Sequence, residues 1–122
     1  MVHSPGYLTI VNEARPRIRE VTVDEARSRL ARNPAAILMD VREDTEWLEG
    51  HAVQAIHLGR GVLERDLERT VPDPRTEILM YCRGGYRSVL AADAARRLGY
   101  GNACSIIGGF RAMVTDGWAT RT

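Results

Sequence analysis

Three stretches of this chain are apolar without alternating: "AAILMDV" at residues 35–41, "TEILMYC" at 76–82 and "ACSIIGG" at 103–109. A strand with one face in water alternates apolar and polar side chains, because successive residues point to opposite faces of the sheet. An unalternating run of strand length suits a strand covered on both faces, as in a parallel sheet. The segments between these runs are helical in pattern. Thr22 followed by Glu25 fits a capping box opening a helix with Ala26 and Leu30 on one face, and Asn33-Pro34 ends it. Short helices are predicted over "EDTEWLEG" (43–50), "VLERDLERTV" (62–71) and "FRAMVTDGW" (110–118), with a brief strand at "AIHL" (55–58). A longer helix is predicted over "YRSVLAADAARRLGY" (86–100), with Gly99 at its C-terminal stop. Strands alternating with helices define an α/β class: an open parallel sheet with helices on both faces. Residues 1–16, with Pro5, Gly6 and Pro16, show no sustained period and read as an irregular leader with a short extended piece at "YLTIV".

Charge narrows the function classes. Seventeen basic and sixteen acidic side chains leave a net charge of +1, without the basic excess of nucleic-acid or membrane-surface proteins. Two cysteines cannot build a disulfide framework, and the N-terminus lacks the pattern of a secretory signal, so a reducing cytoplasmic setting is expected.

The chemistry concentrates in "YCRGGYRS", residues 81–88. Cys82 stands at the carboxyl end of a predicted strand, where open parallel sheets bind ligands. Gly84 and Gly85 permit a curled loop whose amides point inward, and the helix that follows presents unpartnered donors and the positive end of its dipole. Such a cradle, flanked by Arg83 and Arg87, favours a charged sulfur.

Three motifs carry a resemblance to a known family. "DVREDTEWLEGHAVQAIHL" (40–58), "YCRGGYRSVLAADAARRLGY" (81–100) and "GGFRAM" (108–113, with Trp118 after it) resemble a single-domain rhodanese, a thiosulfate-type sulfurtransferase. The resemblance runs from about residue 18 to 118. It implies a rhodanese-like, open five-stranded parallel sheet, with the domain at residues 17–122. It further implies that Cys82 carries a sulfane sulfur as a persulfide, and that Arg83, Gly84, Gly85, Tyr86, Arg87 and Ser88 bind the substrate. Arg83 would face the anion, Arg87 would act as charge and anchor, and the Ser88 hydroxyl would cap the helix. Asp40, Arg42 and His51 would be structural, with Arg42 pairing Glu46 or Glu49 and Asp40 bracing the neighbouring loop. His57 lies near a strand end, within reach of bordering the site, and no role is identified for His3 in the leader.

The implied reaction moves sulfur from thiosulfate or another persulfide donor to a thiol, cyanide or a protein acceptor. Neither step needs a metal or an organic cofactor. Cys104 reads as a core residue, able to resolve a disulfide with Cys82 only if its sulfur reaches the loop. Gly108-Gly109 would let the chain pass close to that loop. Two rival readings stand beside this one. A non-catalytic binding or regulatory module usually lacks the nucleophile. A phosphatase or arsenate enzyme of this type needs a Cys-x5-Arg loop, whereas here Ser88 occupies that position and Arg87 comes one residue early.

Overall fold

Every residue of the strand Ile78–Tyr81 is buried, and the strands on either side run parallel to it. The computed structural model describes residues 2–122. In chain order the elements are α1 (Pro5–Ala14), β1 (Arg19–Val21), α2 (Val23–Arg32), β2 (Ile37–Asp40), α3 (Asp44–Glu49), β3 (His51–Ala52) and β4 (Ile56–His57). They continue with α4 (Leu63–Thr70), β5 (Ile78–Tyr81), α5 (Arg87–Arg97), β6 (Ala103–Ile106), α6 (Gly109–Thr115) and β7 (Thr120–Arg121). Five strands form a parallel sheet in the order β1-β6-β5-β2-β4, and β3 pairs β7 in a small antiparallel ribbon.

Alternation along β5 divides its side chains between two cores. Met80 and Cys82 face Leu63, Leu67, Ala91, Ala92 and Ala95, which come from α4 and α5. Leu79 and Tyr81 face Ala26 of α2, Cys104 and Ile106 of β6, and Met113 of α6. Helices therefore cover both faces, and the three apolar runs are β2, β5 and β6 as their patterns require. The alanines of α5 allow the helix to lie close on the sheet. The predicted capping box also forms: the Glu25 amide donates to Thr22 Oγ1 at 3.1 Å, and the Thr22 amide donates to Glu25 Oε1 at 3.3 Å.

The N-terminal segment departs from expectation. Residues 5–14 are an α-helix with Pro5 in its first turn, not an irregular or extended leader. Proline lacks only a donor that a first turn leaves unpaired, and its fixed φ suits a helix start. Val11 and Ala14 bury one face of α1 against Val89 of α5, with Tyr7 and Tyr86 packed at the edge of the same cluster. Full burial of a valine contributes about 1.5–3 kcal/mol, which ties α1 to the domain. The fifth strand of the sheet, β1, follows after a 3₁₀ turn at Arg15–Arg17.

The order of the strands fixes where a ligand can sit. The connection leaving β2 leads to β4 on one side, and the connection leaving β5 leads to β6 on the other. A crevice opens between the carboxyl ends of β2 and β5, the topological switch point of the sheet. Val41 and Arg42 follow the first strand there, and Cys82 follows the second.

Candidate active site

Cys82 lies where β5 ends, and four residues of loop separate it from α5. Gly85 has φ +95°, an angle that costs a side-chain-bearing residue strain. That turn aims the Gly85 amide at Cys82 Sγ from 3.1 Å, and the first turn of α5 aims the Ser88 amide at it from 3.3 Å. Among the described residues, the amides of Arg83, Gly84, Tyr86 and Arg87 donate to no backbone carbonyl. The loop is thus a ring of donors around one sulfur, two of them engaged. The dipole of α5 adds partial positive charge at the same place.

Ser88 differs from its expected role. Its hydroxyl does not cap α5; it lies 2.7 Å from Ser105 Oγ and 3.4 Å from Cys82 Sγ. The buried serine pair connects the sulfur to β6. A hydrogen-bonding chain of this kind can orient a hydroxyl proton toward a charged sulfur.

The loop is held from two sides. Arg87 forms a two-pronged ion pair with Glu46 of α3, at 2.6 and 3.0 Å. Those bonds, followed by one from the Glu43 amide, bring the Glu46 carboxyl down to about 2 against the opposing effect of burial. Arg42 therefore does not pair with Glu46 or Glu49, the partners the family resemblance had implied. Its guanidinium lies on Asp40 (Nη2 to Oδ2, 2.7 Å), donates to the Gly50 carbonyl at 2.6 Å, and sits 4.3 Å from the Phe110 ring centroid. Asp40 also accepts from the Arg42 amide at 2.9 Å, so it turns the chain after β2. His51 stacks on Trp47 at 3.4 Å between centroids and donates from Nδ1 to the Trp47 carbonyl, while His57 Nε2 bonds the Arg42 carbonyl at 2.8 Å. These residues frame the site from behind, and none of Asp40, His51 and His57 lines the cavity above Cys82.

The second support comes from α6. The Phe110 amide donates to the Cys82 carbonyl at 2.7 Å, and the Arg111 amide to the Arg83 carbonyl at 3.1 Å. Approach this close requires glycine at 109, where a Cβ would lie 2.4 Å from the Cys82 carbonyl oxygen at a φ of +58°. The expected passage of Gly108-Gly109 beside the loop is thereby accounted for.

Above the loop lies a cavity of about 660 Å³ with Cys82, itself 1% exposed, at its floor. Arg83, Arg87, Arg111 and Glu46 line it together with His3, Tyr7 and Tyr86. Arg83 and Arg111 are exposed and form no ion pair among the described residues. Three of these contributors, His3, Tyr7 and Arg111, escaped sequence reasoning. Arg111 stood in a recognised motif without a role, and the spacing Tyr7, Val11, Ala14 was the overlooked helical signal in the leader.

Cys104 does not take part. It pairs in register with Leu79, three residues before Cys82, and its side chain belongs to the opposite face of the sheet. About 10 Å of strand therefore separates the two positions, too far for a disulfide. Burial pushes the Cys104 thiol up to about 11.

These features define the class: an open parallel α/β domain with a cysteine cradled by amides at the switch point of its sheet. The chain belongs to the rhodanese-like domain family, whose model matches residues 22–116. A solved structure from Rhodopseudomonas palustris, of a protein of unknown function described as a possible tyrosine phosphatase, is similar at a TM-score of 0.82. That protein is 27% identical over 99% of this chain and 98% of its own. The human single-domain sulfurtransferase gives a TM-score of 0.70 at 28% identity, covering 79% of this chain and 95% of that one. A thiosulfate sulfurtransferase from Pseudomonas aeruginosa shares the fold at a TM-score of 0.78 and 21% identity, matching 92% of this chain but 21% of its own.

Proposed function

We propose that the protein is a sulfurtransferase that carries sulfur as a persulfide on Cys82. The supporting observation is the sulfur itself, which accepts two amide hydrogen bonds at the floor of an arginine-lined cavity. In the first step the Cys82 thiolate attacks the outer sulfur of thiosulfate. The sulfur–sulfur bond of the donor breaks, and sulfite leaves with the electron pair. In the second step a thiol, cyanide or a protein acceptor attacks the outer sulfur of the persulfide, and Cys82 departs as thiolate. Both partners in the first step are anionic, so attack needs cations and oriented dipoles nearby. Arg83 and Arg111 would hold the sulfite end, and the four free loop amides would receive the added sulfur. A reducing cytoplasm suits a carrier that must return to thiolate after each turnover.

Phosphate chemistry is the second reading, raised by the description of the Rhodopseudomonas palustris protein. In this chain the loop closes at Arg87, five residues after Cys82, and Arg87 is committed to Glu46. A ring of that size suits one sulfur better than a phosphate with four oxygens.

The deciding experiment is intact and peptide mass spectrometry after incubation with thiosulfate. A gain of one sulfur at Cys82, released as thiocyanate by cyanide, is expected. Turnover of p-nitrophenyl phosphate without any sulfur gain would replace this reading with the phosphatase one.

A further inference from the structure

The family match begins at residue 22, yet the cavity over Cys82 is finished by residues that precede it. His3 and Tyr7 come from α1 and the residues before it, and both are half-buried. The His3 ring lies 4.3 Å from Tyr86 and 5.4 Å from Tyr7, centroid to centroid. Arg15 sits over Tyr86 at 5.5 Å and is itself paired with Glu20, which holds the group in place. Arg83, Arg87 and Arg111 line the same cavity, with Glu46 paired to Arg87. Burial, before any other cause, raises the Tyr7 phenol above its ordinary value, and the neighbouring Arg87 opposes that rise.

A cavity of about 660 Å³ far exceeds what thiosulfate or cyanide fills. Volumes of several hundred Å³ lined by aromatic faces and a few placed charges suit organic ligands. We propose that α1 and the residues leading into it make Tyr7 and His3 specificity-determining residues, which with Tyr86 form an aromatic wall selecting organic sulfur donors that join a planar group to an anionic sulfonyl end. Arg83 and Arg111 take the charged end, the wall takes the plane, and the transferable sulfur falls to Cys82. This inference rests on Cys82 being a sulfur carrier.

The test compares thiosulfate with benzenethiosulfonate, which differ by one oxygen replaced with a phenyl ring. With the second donor, the Cys82 thiolate attacks the terminal sulfur, the sulfur–sulfonyl bond breaks, and benzenesulfinate leaves with the electron pair. Cyanide then attacks the outer sulfur of the persulfide, releasing thiocyanate and the thiolate. The readout is the ratio of kcat/KM for benzenethiosulfonate to that for thiosulfate. A partly unfolded sample lowers both values equally and cancels in the ratio. His3→Ala and Tyr7→Ala are each expected to lower the ratio about tenfold, the scale of one lost aromatic contact. Tyr7→Phe, which keeps the ring, is expected to hold the ratio within about twofold of wild type. A ratio unchanged in both alanine variants, or as low in Tyr7→Phe as in Tyr7→Ala, overturns the aromatic wall and leaves sulfur transfer standing. Failure of the wild-type chain to turn over either donor overturns sulfur transfer and the wall together.

Discussion

Cys82 and Cys104 occupy neighbouring strands and are both buried, at 1% and 3% exposure, yet their surroundings are opposites. Cys82 lies beyond the carboxyl end of β5, where two amides donate to its sulfur and the cavity is bordered by Arg83 and Arg111, which have no ion pair among the described residues. Cys104 lies within β6 at the other end of the sheet, where no described residue donates to its sulfur. Arginine is near Cys104 too, but Arg29 is spent on Glu77 at 2.8 Å. Burial without donors raises a thiol, as it does at Cys104. Burial depth therefore does not distinguish a sulfur that accepts from backbone amides from a packing sulfur. The difference lies in whether the backbone has curled to present donors, and that depends on a loop at a strand end.

Exchanging the two sulfurs for other groups gives the widest contrast. Cys82→Ser should reduce thiocyanate formation from thiosulfate by at least about 10³-fold, since the hydroxyl cannot hold the transferred sulfur. Cys104→Ala should keep the rate and lower stability by about 1 kcal/mol, the scale of a small core cavity. Equal losses of activity in a steady-state assay would erase the distinction between the two sites.

Glycines at the two ends of the sheet sharpen it next. Gly109→Ala drives a Cβ into the Cys82 carbonyl, whereas a Cβ at Gly101, near Cys104, meets nothing within 4 Å. Thermal or urea unfolding should show a loss of about 2–4 kcal/mol for Gly109→Ala and less than about 0.5 for Gly101→Ala. Similar midpoints for the two variants would show that α6 does not press on the loop.

The cations provide the third contrast. Arg83→Ala should raise the thiosulfate KM about tenfold with a smaller change in kcat, because an exposed charge binds the dianion in ground and transition states alike. Arg29→Ala, whose charge is already neutralised by Glu77, should leave KM within about twofold. Initial-rate kinetics over a range of thiosulfate concentrations separates the two, and an unmoved KM in Arg83→Ala would remove that side chain from substrate binding.

The same contrast explains what was legible in the residues alone. The runs of β2, β5 and β6 could be recognised because double-sided burial removes alternation. The Cys82 loop could be recognised because its glycines, arginines and helix start are contiguous. β1 could not, since it has three residues of which only Val21 is fully buried, and β3 and β7 have two residues each. α1 was hidden by Pro5 and Gly6, which look like breakers until the proline is placed in the first turn. Site residues that the fold delivers from afar, such as Tyr7 and Arg111, carry no local mark. Arg42 was expected to pair with Glu46 or Glu49, but it pairs with Asp40 two residues before it, and Glu46 is taken by Arg87, 41 residues away in sequence, which only the packing of α3 brings near.

The smallest effect concerns that distant carboxylate. Glu46 is held at about 2 by the Arg87 guanidinium, below its ordinary 4.5. A carboxyl lowered by folding stabilises the native state fully above its unfolded value, and the contribution fades as pH falls from about 4.5 toward 2. Both side chains are about a quarter to a third exposed, so solvent screening limits the pair to about 1–2 kcal/mol. Glu46→Gln should therefore be less stable than wild type by that amount at pH 7. The two urea midpoints should converge between about pH 4.5 and pH 2, as wild type loses what the variant never had. The corresponding change at Glu77→Gln should leave kcat/KM for thiosulfate untouched, because its arginine serves the other end of the sheet. Glu46→Gln should lower it, because its arginine closes the sulfur loop. If the midpoints of wild type and Glu46→Gln stay parallel down to pH 2, the loop is anchored by something other than this pair.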